Sequence, residues 1–277
     1  MENFEENLKY YNSKNLRACQ LRQLGILKEI DKVCKKLNIK YWLDSGSLLG
    51  AVRHGGFIPW DDDIDIAMDK ADMIRFANEA QPLLPDGLFV QTPKTDPTSK
   101  EPIVKVRDLN SLYIEPGDHF ITGYKKGIFV DIFPFEPHPN ISRALIKKLT
   151  KGMGKSNSIL HHLHYYSLRS FAEFFWFGFK RALYHSVWKA SFIFGSSKRY
   201  ACDPFLTGYG VTHDRDTVFP LGSIKFEDAE FPAPHNPDQY LRDAYGDYMK
   251  IPPVEKRLFH AVFIMPKLKW VRALASI

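Results

Sequence analysis

The stretch GFIPWDDDIDIAM, residues 56–68, sets Asp61, Asp62, Asp63 and Asp65 among apolar neighbours. Neighbouring carboxylates repel, and burial raises the cost further. The chain is basic overall, with a net charge of +6, so the cluster does not reflect an acidic composition. IDIAM (64–68) reads as a strand leaving the aspartates. Strand side chains alternate faces, so Asp63 and Asp65 share one face while Ile64 and Ile66 turn to a core. Two carboxylates on one face need a cation or a shared proton. Mg²⁺ or Mn²⁺ suits hard oxygen ligands and takes substrate phosphates as well. Asp61 and Asp62, just after Pro59, read either as a solvated acidic turn or as secondary acidic groups of the site.

A third carboxylate lies in GIFVDIF (127–133). Asp131 sits there among Phe129, Val130, Ile132 and Phe133, an expensive place unless it is paired, hydrogen-bonded or bound to metal. Three strand-borne carboxylates suffice for two metals about 3.5–4 Å apart, the arrangement of phosphoryl-transfer sites. Upstream, DSGSLLGAVRHGG (44–56) places Gly46 and Ser47 between a short strand, YWLD (41–44), and a short helix. Small residues there let backbone N–H groups approach a phosphate, and a helix N-terminus favours an anion. Arg53 and His54 follow.

The remaining pattern is mixed α+β, read as a single domain over residues 1–277. A helix spans 14–38, where Leu16, Leu24, Leu27, Ile30, Cys34 and Leu37 recur at helical spacing. The core covers 39–140, with LNSL (109–112) as a hairpin connection. Residues 141–200 form a basic, aromatic insertion of two or three helices. His161 and His164 share a helix face there, without a carboxylate partner to make a metal site. The C-terminal α/β part, 201–277, holds a hairpin in IKFEDAEFPAP and a helix in NPDQYLRDAYG, capped by Asn236 and ended by Gly246. YGDY (245–248) reads as packing. Cys19, Cys34 and Cys202 form no CxxC pair, so neither a disulfide framework nor a structural zinc site is suggested. The start of the chain is acidic and polar, so no signal peptide is expected. No apolar run approaches the ~20 residues of a membrane span.

Gly-Ser, then an acidic–hydrophobic–acidic strand, then a later carboxylate resembles the nucleotidyltransferase-fold superfamily. The longer string GSLLGAVRHGGFIPWDDDIDIAM looks like the LicD/fukutin family. VKVRDLNSLYI, GIFVDIFPFEP and YGDYMKIPPVEKR extend the resemblance across residues ~16 to 260, with 141–200 matching poorly.

That resemblance implies a core sheet flanked by helices and a phosphotransferase that uses a CDP-alcohol, foremost CDP-choline. The acceptor would be a hydroxyl of a cell-surface glycan such as lipopolysaccharide, teichoic acid or capsule, free or lipid-linked, and CMP would leave. Asp63, Asp65 and Asp131 would be the catalytic and metal-binding residues, with Asp131 also taking the acceptor proton. Gly46, Ser47 and Arg53 would face donor phosphate. Lys105 and Arg107, alternating on the VKVRDL strand, and Arg257 would bind diphosphate or cytidine. No organic cofactor is expected. Choline calls for an aromatic cage, for which Trp42, Trp60, Tyr113 and Tyr124 are candidates. The basic aromatic segment 141–200 reads either as a helical cap or as an element lying on an anionic membrane, which would put the enzyme on the cytoplasmic face. Two rivals stand beside this reading. One is a nucleotidyltransferase releasing pyrophosphate. The other is a basic module binding membrane or nucleic acid, which leaves the buried carboxylates without a purpose; no nucleic-acid partner is expected.

Overall fold

The computed structural model describes residues 2–99, 103–118, 123–162, 167–206 and 210–268. Its architecture is α+β, as the patterning predicts. Helix α1 (Glu2–Leu37) is far longer than the 14–38 periodicity suggests. Its apolar stripe is buried as expected, with Leu27 and Ile30 fully enclosed. The extra turns are held from the other end of the chain. The Asn12 amide donates to Val262 O at 2.9 Å and accepts from Ile264 N–H at 3.2 Å, while the Tyr11 ring stacks on Phe263. Contacts 250 residues apart leave no local periodicity to read.

The central sheet is built from β1 (Tyr41–Leu43), β2 (Asp65–Asp69), β3 (Leu88–Gln91), β4 (Val104–Asp108) and β6 (Ile128–Pro139), in the order β1-β2-β6-β4-β3. Strands β2 and β6 run parallel, the others antiparallel. Helices α2 (Ser45–His54) and α3 (Lys70–Glu79) flank β2 in sequence. The Asp69 side chain caps α3 by accepting from Ala71 N–H. Strand β5 (Leu112–Ile114) overturns the expected LNSL hairpin: it pairs with β11 (Phe263–Met265), not with β4. Strand β4 is already hydrogen-bonded on both sides, to β3 and β6, so no edge remains for β5.

The twelve-residue β6 is the axis of the molecule. Its first half pairs with β2 and β4, and its second half pairs with β7 (Ser196–Cys202). The segment 141–200 is therefore a helical hairpin, α4 (Arg143–His162) and α5 (Leu168–Ala190), inserted between two adjacent strands. Its last residues join the sheet instead of continuing as helix. The hairpin has a small core of its own, Ile146, Leu149, Met153 and Trp188. Gly152 lets the helices close on each other, since a Cβ there would fall within 2.7 Å of the Tyr184 ring. The side chains of His161 and His164 lie outside the described residues. The expected hairpin β9 (Gly222–Phe226) with β10 (Ala229–Ala233) and the helix α7 (Pro237–Tyr245), capped by Asn236, are both present.

Candidate active site

Parallel pairing of β2 with β6 sets Asp65 directly beside Asp131. Asp63 precedes β2 instead of lying within it, and Asp61 is held against it by a carboxyl–carboxylate hydrogen bond. Asp44, at the end of β1, completes the ring of acids whose fields reach Asp65. Burial, followed by Asp63 and Asp131, holds the Asp65 carboxyl well above the usual carboxylate range. Burial, Asp63 and Asp62 push Asp61 up to about 8, and burial pushes Asp131 to about 7 against the pull of Lys105. Asp131 Oδ1 is buried without a hydrogen-bond partner. Hard oxygen donors, mutual repulsion and a buried oxygen that accepts no hydrogen bond together fit a divalent cation.

The four clustered aspartates separate into different jobs. Asp62 is fully buried, and its oxygens accept from Tyr113 Oη at 3.0 Å, His260 N–H at 3.0 Å and Ala261 N–H at 2.7 Å. It anchors the C-terminal strap and is neither a solvated turn residue nor a free ligand. Asp61 is mostly buried and faces Asp63. Gly46 is small for Asp61's sake, because a Cβ there would lie 2.7 Å from Asp61 Oδ2. Ser47 Oγ accepts from Asp65 N–H at 2.9 Å. Gly46 and Ser47, two of the three residues expected to face donor phosphate, are thus in contact with the aspartates themselves, at the first turn of α2.

Lys105 and Arg107 do not form a basic edge open to diphosphate. They are 3% and 1% exposed. Lys105 Nζ bonds Glu115 at 2.8 Å and lies 3.2 Å from Asp131 Oδ1. Burial works against its ammonium, but Asp131 and Glu115 more than offset this and hold its pKa above the ordinary lysine value. Arg107 spends its donors on Gln91, Gly127 O and Glu115. Strand β4 occupies the centre of the sheet, where a cation persists only if paired. Arg53 and Arg257 remain more accessible. Arg53 donates to Tyr248 O at 2.8 Å and feels Asp61, while Arg257 stacks 4.1 Å above the Trp60 ring.

The aromatic candidates also divide. Trp42 is core, packed on Phe135 and Phe219 and bonded to Tyr240 Oη. Tyr113 is core as well, spent on Asp62. Neither offers a face to a ligand. Trp60 and Tyr124 are partly exposed, each beneath a cation, Arg257 and Lys126 respectively.

Besides Asp44, two residues join the site that the sequence reading left out. His260 Nδ1 lies 3.1 Å from Asp62 and 3.4 Å from Asp63. Its hydrogen bond to Asp62 and the charge of Asp63 raise it to about 9, so it is a resident cation at neutral pH. Ligand atoms of Asp61, Asp62, Asp63 and His260 all fall within 4.8 Å of one another. Tyr245, read as packing, is hydrogen-bonded to Ser45 and close enough to feel Asp44, Asp65 and Asp61. It borders a cavity of about 410 Å³ together with Asp44, Phe133, Phe135, His213 and Tyr240. Phe133 is two residues beyond Asp131 on β6, hence on the same face. The helical spacing of Leu241 and Tyr245 was the available signal; nothing local marks His260.

A glycine–serine turn entering a helix, then paired acidic strands of one mixed sheet, defines a nucleotidyltransferase-type domain. The family model described as LicD/FKTN/FKRP, nucleotidyltransferase domain, matches residues 38–172. The Haemophilus influenzae lipopolysaccharide cholinephosphotransferase LicD is 27% identical over 280 residues, covering 89% of this chain and 96% of the relative. An uncharacterized Rickettsia prowazekii protein is 46% identical over 71 residues, so the match spans about a quarter (26%) of each chain. The Homo sapiens ribitol 5-phosphate transferase FKRP is 39% identical over 64 residues, 23% of this chain and 13% of its own. This chain therefore resembles the LicD/FKTN/FKRP family over residues 38–172, just under half of its length.

Proposed function

We propose that this protein is a metal-dependent phosphotransferase. It moves a phospho-alcohol, foremost phosphocholine from CDP-choline, onto a hydroxyl of a cell-surface glycan and releases CMP. The observation that carries the reading is the side-by-side placement of Asp65 and Asp131, with a buried Asp131 oxygen that accepts no hydrogen bond and has the Lys105 ammonium 3.2 Å away. Asp63, Asp65 and Asp131 would hold Mg²⁺ or Mn²⁺, which when bound neutralises charge on the donor diphosphate. Asp131 receives the proton from the acceptor hydroxyl as its oxygen attacks the phosphorus bearing the alcohol. The bond from that phosphorus to the CMP oxygen breaks, and CMP leaves. Lys105 and His260 keep the acidic ring folded, one from the sheet and one from the strap. Arg53 and Arg257 bind the nucleotide end.

The cavity beside Asp44 supports choline over a polyol. Phe133, Phe135 and Tyr245 line it together with Tyr240, which is stacked on His213, and Asp44 supplies one carboxylate. That combination attracts a quaternary ammonium. A polyol needs a hydrogen-bond partner for each hydroxyl, and this lining is mostly apolar.

The test is CMP release from CDP-choline by purified protein, with Mg²⁺ or with EDTA, in wild type, Asp63→Ala and Asp65→Ala. Expected is metal-dependent CMP release that falls by at least about 100-fold in both variants. CDP-ribitol and CDP-glycerol form the comparison arms. Pyrophosphate in place of CMP identifies a nucleotidyltransferase, and inactivity on all three donors sinks the proposal.

A further inference from the structure

The hairpin of α4 and α5 carries a continuous apolar surface that the rest of the chain leaves uncovered. Leu168, Phe171, Phe175, Phe179, Leu183 and Val187 recur every three or four residues along α5, and all face outward. Leu168 is 91% exposed, Phe175 58% and Phe179 61%. Trp176 extends the stripe, and Ile193 and Phe194 continue it past the helix end. The inner face of the hairpin is a separate surface, where Trp188 packs with Met153 and Leu149. Isolated exposed apolar residues are ordinary, but a stripe of this length marks a contact surface.

Charge identifies what covers it. Helices α4 and α5 together carry nine Lys and Arg against one acidic residue, Glu173. Lys147, Lys148, Lys151 and Lys155 are exposed on α4, and Lys180 lies 4.7 Å from the Trp176 ring. A second copy of the same face would bring like charges together. An anionic lipid surface accepts both the cations and the rings. Among the described residues no helix is long and apolar enough to cross a membrane, so a bilayer contact of the hairpin would be at the surface.

We propose that the α4–α5 hairpin docks this protein in the headgroup region of an anionic bilayer, with Phe175, Trp176 and Phe179 inserted and Lys180, beside Trp176, against lipid phosphate. The proposal is independent of the donor and of the chemistry at Asp65. Its geometric basis is the insertion of the hairpin between β6 and β7, which puts a lipid-facing element on the strand that carries Asp131.

The experiment is flotation of the full-length protein with phosphatidylcholine vesicles, with and without phosphatidylglycerol. Binding is expected only to the anionic vesicles and should weaken as salt rises. Phe175→Glu/Phe179→Glu should weaken it at least about tenfold, and Lys180→Glu should reduce its salt dependence. Phe175→Ser/Phe179→Ser serves if the glutamate pair does not fold. Bromine-labelled lipid should quench a tryptophan signal that Trp176→Phe removes. Equal binding by wild type and both Phe pairs overturns the proposal, as does failure to bind anionic vesicles. Concentration-dependent dimerisation that the Phe substitutions abolish also overturns it, and makes the face a contact between copies.

Discussion

The acidic ring and the helical hairpin invert the usual partition of side chains in opposite ways. Around β2 and β6, carboxylates crowd into the interior. Along α5, phenylalanines stand in solvent. Each arrangement is costly by itself: buried like charges repel, and exposed rings order water. Under the readings proposed above, each becomes favourable with its partner, a cation for one and a lipid surface for the other. The difference lies in what the fold does meanwhile. The acids are braced by Lys105, His260 and backbone N–H groups, whereas the rings are left unbraced because nothing needs to hold them apart.

That contrast is open to direct attack. Asp62 is the brace with the most partners, and Asp62→Ala leaves the buried Tyr113 hydroxyl and Ala261 N–H unsatisfied. It should cost about 3 kcal/mol in urea unfolding. A loss below about 1 kcal/mol would mean that the strap is not anchored there.

His138 tests the join between the regions, since it lies on β6 with its ring edge-on to Trp188 of the hairpin at 4.7 Å. Burial lowers its pKa from 6.5 to about 4. The unfolded chain therefore binds the proton first. Stability is full above pH 6.5 and falls as pH drops toward 4, by up to about 3 kcal/mol. His138→Gln should flatten that part of the stability–pH curve, and an unchanged slope would assign the acid sensitivity elsewhere.

The smallest effect is the most telling for the hairpin. Phe175→Ser and Phe179→Ser should each shift stability by less than about 0.5 kcal/mol, because their rings are already more than half exposed. A loss of 2 kcal/mol or more, of the order of core truncation, would show that the stripe is covered within the folded protein.

Much of the site was legible in one segment. The alternation around Asp63 and Asp65, and the apolar setting of Asp131, announce buried carboxylates, and the strands bring those three together. Lys105 and Arg107 misled because alternating basic residues look alike on an edge strand and a central one. Only the pairing of β4 on both sides shows that they are interior. Trp42 and Tyr113 misled similarly, since an aromatic side chain has the same letter in a core and in a cage.

The sequence by itself determined the mixed α+β class, the acidic strand and its later partner, the punctuated helix at 237–245 and the amphipathic, basic character of 141–200. These rest on short-range periodicity, which a chain carries in its own order of residues. Only the tertiary structure decided that Asp62 is an anchor, that His260 joins the acids, that Tyr245 and Asp44 border a cavity and that the phenylalanines of α5 face outward. Those outcomes rest on contacts between residues far apart in the chain, such as His260 with Asp62, 198 positions away. Such contacts are chosen by packing and by the pairing of buried charge, and no local pattern encodes them.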